Sequence, residues 1–170
     1  MALAVPTARV FRSQVRKSDV AAIAEIVAST GFFTPAEVVV AVELVEERLQ
    51  KGAGSGYFFL FAEDTMGRVL GYTCYGPVPA TQSTYDLYWI AVHRESQRSG
   101  LGRELLARTE ARIAAAGGMD VYIETSSRTL YRPTQGFYMR AGYRLVAEFS
   151  DFYAPGDGKL VYVKRLQATA

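Results

Sequence analysis

Residues 92 to 103 read Val92-His93-Arg94-Glu95-Ser96-Gln97-Arg98-Ser99-Gly100-Leu101-Gly102-Arg103: a β-type segment ends, a polar loop with glycines follows, and a helical pattern begins. The first backbone N–H groups of a helix have no partner inside it and lie at its positive end. A turn of this kind therefore offers them to a diphosphate if no side chain blocks the approach. Gly100 and Gly102 remove such a block, and Arg98 and Arg103 can add charge-assisted contacts from the flanks. The same glycines also fit a structural role, the relief of crowding where the helix starts. Two other phosphate motifs fail on spacing. The third glycine of G-x-G-x-x-G falls at Leu105, in a unit that sits mid-chain, and no Gly-Lys-Ser/Thr follows as a P-loop requires.

The elements that must position this turn can be read from periodicity. Residues 8 to 15 look extended. Ser18 stands where it can cap a helix carrying Val20, Ile23, Ala24 and Val27 at helical spacing. Thr34-Pro35-Ala36-Glu37 combines a capping box with proline at the first helical position, and Val38, Ala41, Val42, Val45 and Leu49 form a stripe that Gly52 ends. Residues 57 to 62 and 69 to 75 read as a hairpin about Asp64-Thr65-Met66-Gly67, and residues 85 to 92 as a third strand. A helix with Leu101, Leu105, Leu106 and Ile113 on one side stops at Gly117-Gly118. A strand over 119 to 125, a short helix over 134 to 141 and closing strands over 143 to 150 and 160 to 166 complete the order. This predicts a single α/β domain over residues 1 to 170, with one mixed sheet and helices on its faces.

Composition narrows the function. Of 170 residues 49% are apolar and 21% charged, an ordinary globular balance. A formal charge of +2 is too small for a phosphate-backbone footprint, so no nucleic-acid partner is expected. One cysteine, Cys74, and one histidine, His93, are too few for a Cys/His metal site, and no metal is expected. MALAVPTARVFRS lacks the charged region and apolar stretch of a secretion signal, and no uncharged run approaches the roughly 18 residues of a membrane span. The expected location is the cytoplasm.

The segment Gln97-Arg98-Ser99-Gly100-Leu101-Gly102 resembles motif A of the GNAT family of N-acetyltransferases, written Q/R-x-x-G-x-G/A. Phe137-Tyr138-Met139-Arg140-Ala141-Gly142-Tyr143 resembles its motif B, with Tyr143 where the common Phe stands. Ile90-Ala91-Val92 resembles the end of the family's fourth strand. The element order agrees with the family's over nearly the whole chain. The resemblance implies a GNAT-type acyl-CoA N-acyltransferase fold, with a central mixed, mostly antiparallel sheet and helices on both faces, and acetyl-CoA as cosubstrate. It implies that Ile90, Ala91 and Val92 meet the pantetheine arm and that Gln97, Arg98, Ser99, Gly100, Leu101, Gly102 and Arg103 form the diphosphate turn.

Acetyl transfer to an amine needs a neutral nucleophile, a polarised thioester carbonyl and a proton for the departing thiolate. A carboxylate is the natural acceptor for the ammonium proton. By resemblance Asp86 takes the position where several relatives carry a catalytic Glu, one carbon longer, and Glu124 on the next strand is the second candidate. For each, an ion-paired strand residue is the competing reading. Tyr138 matches the family tyrosine that protonates the leaving thiolate, and a backbone N–H near Val92 is the candidate for the carbonyl oxygen. Thr125-Ser126-Ser127 stands where many relatives have Asn. Phe32, Phe33 and the stretch Asp151 to Gly158 are candidates for choosing the amine. Asp151, Tyr153 and Asp157 fit either an acidic, aromatic mouth or an ordinary connection between strands. Cys74, within an apolar pattern, reads as a structural thiol. A non-catalytic coenzyme A-binding regulator and a protein-modifying acetyltransferase are the competing functions. A homodimer through an edge formed by the C-terminal strand is the further partner expectation.

Overall fold

The computed structural model describes residues 8–167. Its elements run β1 (Val10–Arg12), α1 (Asp19–Ser29), α2 (Pro35–Lys51), β2 (Phe58–Glu63), β3 (Val69–Pro77), β4 (Thr84–Val92), α3 (Leu101–Ala115), β5 (Asp120–Ser126), α4 (Arg132–Arg140), β6 (Arg144–Ala154) and β7 (Asp157–Arg165). The sheet order is β1-β2-β3-β4-β5-β7-β6. β4 and β5 are parallel, and β1/β2, β5/β7 and β6/β7 are antiparallel. This is the mixed, mostly antiparallel sheet anticipated above. The order corrects one expectation: the C-terminal strand β7 lies inside the sheet, paired on both sides, and β6 is the edge. The chain divides into two compact units. One holds the described residues up to Cys74 with Trp89–Leu106, the other Tyr75–Tyr88 with the described residues from Ala107.

In the first unit β2 distributes its side chains by strand alternation. Phe59 and Phe61 join Ile23, Ile26 and Val27 of α1 and Ala41 and Val45 of α2 in one core, whereas Leu60 and Ala62 pack with Leu101 and Leu105 of α3 in another. Helices therefore cover both faces here. The Phe59, Phe61 and Tyr72 rings stack with centroids 5.7 to 6.3 Å apart, and burying each such ring contributes about 1.5–3 kcal/mol. α2 starts as its sequence dictates: Thr34 Oγ1 accepts the Glu37 N–H, the Glu37 carboxylate accepts the Thr34 N–H, and Gly52 (φ +59°) closes the helix.

The start of α1 differs from the sequence expectation. Ser18 occupies the cap position, but its backbone is already helical and its side chain makes no capping bond. The leading amides of Asp19 and Val20 donate instead to Arg16 O and Lys17 O, while the Asp19 carboxylate accepts the upstream Arg16 N–H at 2.7 Å and grips the Arg12 guanidinium. Arg12 Nε bonds Glu63 at 2.6 Å, Arg16 adds a second contact to Glu63, and the Arg12 guanidinium lies 4.3 Å from the centre of the Phe61 ring. Burial opposes the charge on Arg12, yet the hydrogen bonds to Asp19 and Glu63 outweigh it and hold the guanidinium above its ordinary range.

In the second unit β5 is central. It pairs with β4 at Thr84↔Asp120, Tyr85↔Val121 and Asp86↔Tyr122, and with β7 from Asp120↔Arg165 to Ser126↔Lys159. α4 begins at Arg132, two residues before the expected start, since Pro133 can occupy the first turn without needing its N–H. The stretch Asp151 to Gly158 is mostly strand. β6 runs to Ala154 and β7 starts at Asp157, with Pro155-Gly156 as the turn and Gly156 at φ +80°. Asp151 accepts the Gly156 N–H at 2.6 Å, and Asp157 takes Ser126 Oγ and Arg128 Nε. These carboxylates brace the hairpin and its flanks.

Among the described residues no helix is long and apolar enough to cross a membrane, and no group of three or more His, Cys, Asp and Glu side chains is placed to hold a metal. Asp19→Ala removes two hydrogen bonds from the buried Arg12 guanidinium and leaves Glu63 as its carboxylate partner, so a stability loss of about 1–3 kcal/mol is expected, measured by urea denaturation. A β-carbon on Gly118 would sit 2.3 Å from Ile113 Cγ2 and 2.7 Å from Tyr85 Cδ2. Gly118→Ala should therefore cost about 1–3 kcal/mol in the same assay.

Candidate active site

The phosphate-type turn is built in the first unit, and neighbouring side chains fix its shape. β4 ends as the His93 N–H bonds Leu70 O at 2.8 Å, and His93 Nδ1 accepts the Glu95 N–H. The Arg94 N–H donates to Ser29 Oγ of α1. Gln97 Nε2 donates back to Val92 O at 3.2 Å, and Ser99 Oγ donates to Ser96 O at 2.6 Å. Arg9 ties the far side, with Nη2 donating to Ser99 O and Oγ and Nη1 to Glu104. Within this frame Arg98 (φ +59°) and Gly100 (φ +80°) are left-handed.

The first helical bond of α3 runs from the Glu104 N–H to Gly100 O. The N–H groups of Leu101, Gly102 and Arg103 thus lie ahead of the helical ladder. A β-carbon at Gly100 would meet nothing within 4 Å, so the turn opens onto clear space. Leading amides outside the helical ladder, the open side of Gly100 and the exposed Arg98 and Arg103 suit a diphosphate. The side chains of Ile90, Ala91 and Val92 are committed elsewhere: Ala91 to the core under α1 and α2, Ile90 and Val92 to the core under α3. What these three can offer a ligand is backbone. Gln97 is likewise spent on holding the loop.

The second unit holds the three acid-base candidates. Asp86 pairs directly with Tyr122, and Glu124 lies two residues further along β5, so alternation sets both carboxylates on one face of the sheet. Burial first, and then the Glu124 charge, push the half-buried Asp86 carboxyl up from its ordinary range. Glu124 is exposed and bridges Lys159 Nζ at 3.2 Å. Asp86 is therefore the better proton acceptor of the two. Tyr138 belongs to the opposite face, because Ile123 pairs with Tyr162 and the Tyr138 ring packs on Tyr162 at 6.2 Å and on Tyr143 at 5.9 Å. Burial raises its phenol far above the ordinary value, which keeps the hydroxyl protonated and able to donate.

Other candidate residues have structural partners. Ser126 and Ser127 are tied to the β6–β7 turn through Asp157 and the Gly158 N–H. Phe33 packs on Trp89 at 4.9 Å in the first core. Cys74 is buried, with its thiol pushed up by burial. Sequence reasoning missed Arg9, which carries no motif, and Lys159 with Phe149, whose alternation on β7 and β6 could have marked them.

The family model described as an acetyltransferase (GNAT) domain matches residues 54–145. A blasticidin-S acetyltransferase of Streptomyces morookaense is 40% identical over 81 residues, 48% of this chain and 55% of that protein. The chain spans about half the length of the curated relatives it matches. A crystal structure from Desulfovibrio desulfuricans, of a protein assigned to the GNAT acetyltransferases, superposes with a TM-score of 0.89 at 49% identity, covering 93% of this chain and 99% of that one. A Salmonella typhimurium structure, yncA with acetyl-CoA, has a TM-score of 0.71 at 21% identity over 96% of each chain, a likeness of fold. The helix-capping turn at Gly100, the sheet order and these matches agree, and the chain belongs to the GNAT family of acetyltransferases.

Proposed function

We propose that the protein is an acetyl-CoA-dependent N-acetyltransferase of the cytoplasm whose acceptor is the primary amine of a small molecule. The observation that carries this reading is the turn at Arg98–Arg103, with its three upstream amides and the open side of Gly100. The acetyl-CoA in the Salmonella relative and the small-molecule name of the Streptomyces relative support it.

The turn holds the diphosphate of the donor, and the backbone at Ile90 to Val92 aligns its arm. Asp86, directly or through one water, removes a proton from the acceptor ammonium, leaving a lone pair on nitrogen. That nitrogen forms the new C–N bond to the thioester carbonyl carbon as the C–S bond breaks and its electron pair stays on sulfur. Tyr138 donates its hydroxyl proton to the sulfur, and the second proton shed by nitrogen balances that transfer. A backbone N–H near Val92 stabilises the negative carbonyl oxygen. Products are the acetamide and free coenzyme A.

Thiol release from acetyl-CoA, measured over a panel of small amines that includes blasticidin S, tests the reading. Tight coenzyme A binding without release for any amine would replace it with the regulator. Tyr138→Phe and Asp86→Asn should each lower kcat by about 10²-fold while coenzyme A affinity, read by calorimetry, holds. Gly100→Val, strained at φ +80° and intruding on the open side of the turn, should raise the KM for acetyl-CoA by at least about tenfold.

Asp86 must be ionised to act, so rate falls as pH drops through its pKa. Glu124→Gln removes the charge that helps to raise that pKa, and the acid limb of the pH–rate profile should move to lower pH.

A further inference from the structure

His93 is the chain's single histidine, and it stands where β4 gives way to the donor turn at Arg98–Arg103. Its side chain is only 11% exposed. It caps the short 3-10 turn Arg94–Ser96: Nδ1 accepts the Glu95 N–H at 3.3 Å, and the His93 carbonyl accepts the Ser96 N–H at 2.8 Å. From there the links run forward. Ser96 O receives Ser99 Oγ, Arg9 holds Ser99 from the other side, and Gly100 follows with its left-handed backbone. The imidazole therefore anchors the near end of the segment whose far end is the donor turn.

The bond from Glu95 settles the state of the ring. A nitrogen that accepts an N–H carries no proton, so the neutral ring has its proton on Nε2, which lies 3.4 Å from Glu25 Oε1 of α1. An imidazolium has a proton on both nitrogens and cannot accept. Protonation sets two N–H groups against each other at Nδ1 and leaves the Glu95 amide without its acceptor. The charges around the ring do little to offset this. Three groups face it: Glu25 from α1, Arg68 from the β2–β3 turn with Nη2 3.5 Å from Nε2, and Glu95 from the 3-10 turn with its carboxylate 3.8 Å from Nδ1. Arg68 pairs with both carboxylates, at 3.5 and 3.2 Å, and all three side chains are at least half exposed, so water and salt screen what they add.

We propose that His93 is a positioning residue for the donor turn that works only as the neutral imidazole, so that the diphosphate of acetyl-CoA binds the unprotonated protein in preference. This rests on the donor-turn reading above and adds a proton to it. A plain Coulomb effect has the opposite sign, since a bound diphosphate attracts an imidazolium and holds the proton on. The direction of the coupling therefore separates a ring that shapes the loop from one that merely lies near an anion.

Dephospho-coenzyme A is the probe, because it keeps the diphosphate and lacks the phosphate monoester that titrates in the same range as histidine. With one histidine in the chain, the imidazole C–H signal in proton NMR reports His93 alone. Its titration midpoint should move to lower pH by about one unit when the probe is bound. By the same linkage, affinity read by calorimetry should be full above the midpoint of the free protein and fall about tenfold as pH drops through it. His93→Leu, which has no acceptor, should bind the probe about tenfold more weakly with no dependence on pH. His93→Asn places an amide oxygen where Nδ1 stands and should recover most of that affinity, again without dependence on pH. A midpoint that stays put or moves to higher pH on binding overturns the inference and leaves the donor turn standing, and the wild-type protein alone decides this should both variants misfold. No binding of the probe at any pH removes the donor turn and the role of His93 with it.

Discussion

The first turn of an α-helix cannot use its leading amides, and in this chain the segment before α3 is tied down around them, with the Gly100 position opening onto clear space. Arg9, Gln97, Ser29 and the His93 ring each tie down a different part of that segment. Holding the turn matters more than charge, since amides bind a diphosphate only if they converge before it arrives. Glu104, in the first turn of α3, would compete electrostatically with a bound phosphate, and its contact with Arg9 offsets that charge. Arg9 thus shapes the loop and neutralises the acid beside it.

The acid-base groups depend on a different constraint, the two-residue repeat of β5. One face receives Asp86, Glu124 and Lys159, and the other receives Tyr162 with Tyr138 packed on it. The candidate carboxylates and the candidate tyrosine so lie on opposite faces of one strand. Burial raises the Asp86 carboxyl, which makes it a stronger base once ionised, and raises the Tyr138 phenol, which keeps it protonated until a strong base accepts the proton.

Stability and function meet at the start of α1. A buried cluster of Arg12, Asp19 and Glu63 joins β1, α1 and β2 where an apolar contact would have sufficed energetically. Its directional hydrogen bonds fix where α1 begins, and α1 presents Ser29 to the Arg94 amide. The ion cluster is therefore linked through one helix to the loop that precedes α3.

Local chemistry was legible from the chain itself wherever a short-range rule applies. The capping box at Thr34, the glycine stop at Gly52 and the strand-turn-helix at Val92 to Arg103 follow from neighbours a few residues apart, whereas the candidates Asp86, Glu124 and Tyr138 rest on the resemblance to the GNAT family. Where partners are distant in sequence the chain was silent or misleading. Ser18 looks like a cap, yet the leading amides of α1 go to the Arg16 and Lys17 carbonyls, and the final strand looks like an edge until β6 folds outside it. Asp151 and Asp157 looked free until the turn used them, and Lys159 had no visible role until register set it beside Glu124 and two phenyl rings. Periodicity decides which face a residue takes, but only strand order and register decide what stands opposite, because those are set by long-range hydrogen bonding and burial across the whole sheet.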